Sequence, residues 1–200
     1  MRRILFILSC LLLLAFHSNS YAETNVSVFA GYRAGGEFED VNSGLRLKLD
    51  EGESFGISMS LPYSQNTKLE FVLSHQESRL LNDSAPAEVL IDLDIDYLHV
   101  GGLYTWPGAL TEPYIVGTLG ATYYRPDGGY SDKIRPSIGF GVGSFIHLTK
   151  SLALKFEARG YSTFLDSGGA MFCGDSGCRI IAVSSTIWQS ELQAGLTFKF

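Results

Sequence analysis

Beyond residue 22, this 200-residue chain has no apolar run of 18, the length a membrane-spanning helix requires. Any passage through a bilayer would have to use strands, whose backbone groups satisfy one another. Helix-period apolar stripes, internal repeats and linkers are also absent, and there are only 6 prolines, so a helical bundle and a tethered two-domain chain are excluded. Basic residues are few, 15 against 21 acidic ones, and none cluster, which excludes nucleic acid as the partner. Cysteine is scarcer still, at three.

What is present points to β structure. The chain is 46% hydrophobic and 12% aromatic, with 22 glycines, the profile of a Gly- and aromatic-rich β protein with one full core. Its first 22 residues have the marks of a secretory leader. Arg2-Arg3 supply positive charge, Ile4 to Phe16 an apolar segment, and Ser20-Tyr21-Ala22 small residues three and one before a cut. A mature chain from Glu23 to Phe200 would have a net charge of −8 rather than −6. It keeps Cys173 and Cys178 in one Gly-rich loop, in a disulfide-forming compartment, so one small cystine ring is expected. Two thiols without a nearby histidine make a poor zinc site.

Period-two alternation divides the mature chain into eight strands: 25–35, a second ending near 61, 68–79, 89–104, 113–125, 136–148, one from 152, and one from about 185. Residues 44–50 share the odd parity of Phe55 and Ile57, so they either lengthen the second strand or form a separate outer hairpin. Turns near 63–66, 106–112 and 149–151 are short, whereas connections near 36–44, 80–88, 126–133 and 166–184 are longer. That asymmetry is typical of a transmembrane antiparallel up-and-down barrel with both termini on the short-turn, periplasmic side.

A secreted lipocalin-like barrel has the same alternation with an apolar interior. Three features favour lipid outside: the strand length, the aromatics near strand ends, and polar faces carrying both charge signs. The aromatics are Tyr32, Tyr63, Tyr97, Tyr104, Trp106, Tyr114, Tyr123, Tyr124, Tyr161 and Trp188. The expected lumen charges are Arg33, Asp92, Asp94, Asp96, Lys155, Glu157, Arg159 and Glu191, with Glu70 and Lys199 on the same polar faces. In a narrow lumen they must pair, and Gly139, Gly141 and Gly143 leave room for long side chains opposite.

The ending "QAGLTFKF" resembles the terminal insertion signal of bacterial outer-membrane barrels, with Gln193, Gly195, Phe198 and Phe200 in the signal positions. With "DLDIDYLHVGGLY", "EPYIVGTLGATYY", "GFGVG" and "KFEARGY", the whole mature chain is similar to the small outer-membrane β-barrel families of the OmpA-barrel, OmpX and OmpW types. The resemblance implies export to the Gram-negative outer membrane, contact with barrel-assembly machinery and periplasmic chaperones, and outer-membrane lipids or lipopolysaccharide as surroundings. It says little about activity. A small barrel with no obvious weak strand is expected to be a monomer, although the sequence does not itself show the oligomeric state.

Motifs for chemistry are weak. "CGDSGC" contains Gly-Asp-Ser-Gly, yet no histidine has the setting of a catalytic base, so a cystine-closed turn is expected. Asp92, Asp94 and Asp96 lie along one strand line instead of converging as calcium loops do, so charge pairing is expected, with an ion site or pore lining as the alternative. A lipid A-modifying enzyme of this size would need His, a Ser two residues later and an acid near the outer leaflet. His147, Thr149 and Glu157 have that order but lie at the periplasmic end, and His75 with Glu77 lacks a nucleophile. "GFGVG" precedes no helix and has no GK[ST], so it is no phosphate loop. The expected role is a structural or surface-interaction barrel without cofactor, metal or catalysis. A narrow channel for small solutes is the alternative, ahead of a lipid-modifying enzyme.

Overall fold

In the computed structural model the described residues are 24–40, 44–82, 88–128, 130–165, 170–174, 177–181 and 186–200, with backbone alone between 170 and 181. The leader reading at 1–22 lies outside them. Eight long strands carry the architecture: β1 (Asn25–Gly35), β4 (Gly52–Ser64), β5 (Thr67–Asn82), β6 (Glu88–Thr105), β7 (Thr111–Pro126), β8 (Lys133–His147), β9 (Leu152–Phe164) and β12 (Thr186–Lys199). Four short strands, β2 (Glu37–Glu39), β3 (Arg46–Leu49), β10 (Ala170–Gly174) and β11 (Gly177–Ile181), decorate the long connections. Each long strand pairs antiparallel with the next long strand, and β1 pairs with β12, so the sheet closes on itself. Closure leaves no open edge on the eight staves.

Register fixes the barrel's shape. From Ser144 on β8, the direct partners run through Phe156, Ala194, Ala30, Phe55, His75, Asp96 and Tyr123. The circuit returns to β8 at Ile134, ten residues from its start. Eight strands with that stagger tilt about 40° from the axis. The short turns gather at one end, for example Gln65-Asn66 between β4 and β5, and the long loops at the other.

The two halves of the barrel have opposite amphipathicity. Toward the short-turn end, Val28, Ile57, Phe71, Val100, Val142, Phe156 and Leu196 are exposed on the outer wall, while Ser58, Glu70, Thr118 and Lys155 are buried in the lumen. Toward the long-loop end the order reverses. Leu80, Ile91, Leu93, Ile95 and Ile187 fill the interior, with Phe38, Leu47 and Leu49 packed among them. A wall that meets lipid must be apolar outside, whereas a stretch above the bilayer needs a water-facing exterior and an apolar core.

This inversion corrects one sequence expectation. Asp92, Asp94 and Asp96 lie on the outer wall, because Ile91, Leu93 and Ile95 of the same strand occupy the interior. The polar-inside rule holds only along the half of β6 toward the short turns.

Residues 44–50 combine both alternatives. β2 and β3 form a hairpin, and β3 also continues the pairing of β4 along β5. Leu49 pairs with Leu80 while Ser54 pairs with Gln76, so one extra residue sits near Asp50-Glu51 on the β3–β4 side. Such a bulge reverses parity: Leu47 and Leu49 point in, whereas Phe55 and Ile57 point out. Gly36 turns the chain into the hairpin at φ +94°, and a Cβ there would lie 2.7 Å from Leu49.

Candidate functional site: the sealed lumen

The inward residues stack in layers. Outermost, at the long-loop end, is the apolar plug just described. Directly beneath it, Tyr97 and Tyr161 stack with ring centroids 4.0 Å apart. The guanidinium carbon of Arg33 sits 4.7 Å from the Tyr97 ring centroid and 5.4 Å from that of Tyr161. Arg33 donates to Glu191 at 3.4 Å and also to Ser74, and Ser54 donates to the other Glu191 oxygen at 2.5 Å. The Tyr97 hydroxyl donates to Gln189 at 2.8 Å.

Below them, His99 spans Thr118 and Ser137, with 2.9 Å from a ring nitrogen to each hydroxyl. The next layer is an ion cluster from opposite walls. Arg159 contacts Glu70 at 2.7 Å and also Glu157, while Lys155 reaches Glu157 at 3.1 Å and Glu70 at 3.4 Å. Tyr114 donates to Glu157 at 2.6 Å and Gln193 donates to it at 2.8 Å. Across these layers Arg33, Lys155 and Arg159 balance Glu70, Glu157 and Glu191, all buried. Burying six charges is tolerable only because each has an opposite partner.

A smaller apolar layer closes the other end: Tyr114 stacks on Phe145 at 4.8 Å, with Leu103, Val116 and Ala153 around them. At the short-turn mouth Glu112 accepts from Lys68 at 3.2 Å and lies 3.3 Å from His147 and 3.7 Å from Lys199. The lumen is thus a polar middle between two packed caps. Several groups in that middle, including Arg33 Nε and Nη1, Arg159 Nη1, Gln189 Nε2 and the Tyr161 hydroxyl, have no protein partner among the described residues.

The structure therefore places five of the eight expected lumen charges, Arg33, Lys155, Glu157, Arg159 and Glu191, inside the barrel. Outside, Arg125 bridges Asp96 at 2.8 Å and Asp94 at 3.3 Å, and His75 lies 2.6 Å from Asp96. Arg125 was not singled out from sequence, although its outward phase on β7 matches that of the aspartates on β6.

The aromatic girdle is also thinner than expected. Tyr32, Tyr63, Tyr104, Trp106 and Trp188 are exposed, but Tyr97, Tyr114, Tyr124 and Tyr161 are buried in the lumen. Parity within each strand separates the groups: Tyr97 and Tyr161 share a face with His99 and Arg159.

For the terminal signal, Gln193 joins the ion cluster, Gly195 sits where a Cβ would approach the Val28 carbonyl to 2.3 Å, and Phe198 and Phe200 point outward. His147 contacts Glu112, whereas Glu157 is bound into the charged layer, so the histidine–acid constellation is not assembled. Cys173 and Cys178 face each other as direct backbone partners in the β10–β11 hairpin; Asp175 and Ser176 lie outside the described residues. Among the described residues no group of three or more His, Cys, Asp or Glu could hold a metal ion.

No family model matches the chain, and no curated protein does. Solved structures do. Neisserial surface protein A is 18% identical with a TM-score of 0.56, covering 90% of this chain and 98% of that one. The outer membrane protein OprG from Pseudomonas aeruginosa is 14% identical with a TM-score of 0.60, covering 90% and 95%. The outer membrane protein AlkL, solved in lipid bilayers, is 16% identical with a TM-score of 0.54, covering 92% and 93%. At these identities the likeness concerns architecture: the chain has the closed eight-stranded antiparallel fold of small outer-membrane β-barrels.

Proposed function

We propose that the protein is an outer-membrane β-barrel of structural or surface-interaction type, exported by its leader and closed to solutes. The observation that carries this reading is the sealed lumen. Apolar side chains fill the long-loop half, and paired charges held by buried hydrogen bonds fill the middle. A conducting pore of this width would need a continuous wet path, and the stacked Tyr97–Tyr161 pair lies across it.

The outer wall supports the location. Exposed Val28, Ile57, Phe71, Leu119, Val142 and Leu192 ring the barrel, an apolar belt that water would not tolerate at this extent. Lipids, with lipopolysaccharide in the outer leaflet, are the partners of that belt, and assembly factors read the terminal strand. The surface for recognition is the set of long connections, in which we place a Cys173–Cys178 cystine across β10–β11. Among the described residues, the histidine–hydroxyl contacts of the lumen, His99 with Thr118 and Ser137, are buried between the two caps, so no catalysis is assigned.

Planar-bilayer recordings of the refolded protein test the reading. Stable single-channel conductance from the unaltered protein would replace it with the narrow-channel alternative, which the unpartnered polar groups of the middle lumen favour. A silent bilayer together with heat-modifiable migration on gels supports the sealed barrel.

A further inference from the structure

The apolar belt is not level. Along β8 and the residue just after it, Ile134, Pro136, Ile138, Phe140, Val142, Ser144, Ile146 and Leu148 face outward and carry no charge over fourteen residues of chain. At the barrel's tilt that is about 35 Å of height. On β6 the corresponding run begins at Leu98, directly after the outward Asp96, and ends one residue past the strand at Trp106. Eight residues give about 20 Å.

The excess lies at the long-loop end and spreads over three neighbouring strands. Ile134, Phe164 and Trp188 are 67%, 41% and 56% exposed on β8, β9 and β12, and Phe140 meets Trp188 edge-on at 6.2 Å. Ile134 is the direct partner of Tyr123, so it stands level with the start of the charged rim that Asp94, Asp96 and Arg125 form on β6 and β7. Lower on the same side, Ala30, Ala158 and Ala194 floor an apolar groove of about 610 Å³ between Tyr32, Leu192, Val142 and Phe156.

We propose that outer-leaflet acyl chains cover this wall up to Ile134 and Trp188, so the bilayer boundary runs obliquely around the barrel. It sits about 10 Å higher on the β8–β9–β12 side than on the β5–β6 side. This rests on the membrane-barrel reading. The choice of lipid as occupant follows from continuity: Phe140, Val142 and Leu192 link the raised patch to the belt without an intervening charge. On the opposite wall His75, Glu77 and Asp96 stop the belt short and keep water or headgroups against the strands. A local mismatch of this size tilts the barrel or thins the leaflet on the acidic side.

The chain has two tryptophans, so each can be made the sole reporter. In Trp106→Phe, Trp188 alone fluoresces; in Trp188→Phe, Trp106 alone reports. Both variants are refolded into phosphatidylcholine vesicles brominated high in the acyl chains, and separately titrated with aqueous iodide. Trp188 is expected to lose intensity to bromine by the same factor as Trp106 and to resist iodide. Quenching of Trp188 by iodide, or by neither quencher, overturns the proposal, since water or a protein segment would then cover the wall. If Trp106 also escapes bromine, the membrane-barrel reading itself fails.

Discussion

Arg159 on β9 donates to Glu70 on β5 at 2.7 Å, and these strands stand diametrically opposite in the barrel. One hydrogen bond thus ties two walls that share no backbone pairing. Together with Lys155 and Glu157 it makes the lumen a brace, and removing one member strands charges that have no access to water.

Arg159→Leu leaves Glu70 and Glu157 with a single shared cation, Lys155. The expected loss is about 3–5 kcal/mol of unfolding free energy. Urea titration of folded barrel in micelles measures it. Combining Glu70→Gln with Arg159→Leu should recover part of the loss, because the uncompensated charge is then reduced.

Asp94→Asn and Asp96→Asn remove partners of Arg125 on the wet outer wall. Each should change stability by less than about 1 kcal/mol. A loss as large as that of Arg159→Leu, read by the same titration, would place these carboxylates in the lumen after all.

Ile95→Ala empties part of the plug, where Ile95 is fully buried among Leu80, Leu93 and Ile187. A cost of about 2–5 kcal/mol is expected. The matching change on the outer wall, Leu98→Ala, should cost less, because lipid fills the space. Paired denaturation curves compare the two.

Deletion of Phe200 removes an outward aromatic and the two backbone bonds joining residue 200 to Thr24, at 3.0 and 3.2 Å. Export should proceed while assembly falls. Fractionation with a heat-modifiability gel reads both, and a normal yield of folded barrel in membranes would remove the assembly role.

Most of the architecture could be read in the chain, and the misreadings share one cause. Period two alone separates the faces of a strand, so all eight long strands and the alternation of short and long connections were visible. Which face is inner depends on what surrounds the wall, and that changes along one strand. In β6, Asp92 to Asp96 show the polar parity of the outer wall, whereas Leu98 and Val100 show the apolar parity of the same wall. A single rule applied to the whole strand inverts its upper half. The girdle tyrosines failed likewise: proximity to a strand end does not tell Tyr97, inside, from Tyr104, outside. The bulge at Asp50-Glu51 left no mark in the apolar pattern, since Leu47, Leu49, Phe55 and Ile57 keep one parity across it.

The seam between β1 and β12 sets the timetable of assembly. Its bonds join residues some 170 positions apart, such as Ser27 and Thr197. Until β12 arrives, β1 presents an unpaired edge, and contacts this distant in sequence form slowly. The unfinished barrel is therefore an open ribbon with one bare edge, and it becomes a closed body only when the last strand docks on the first.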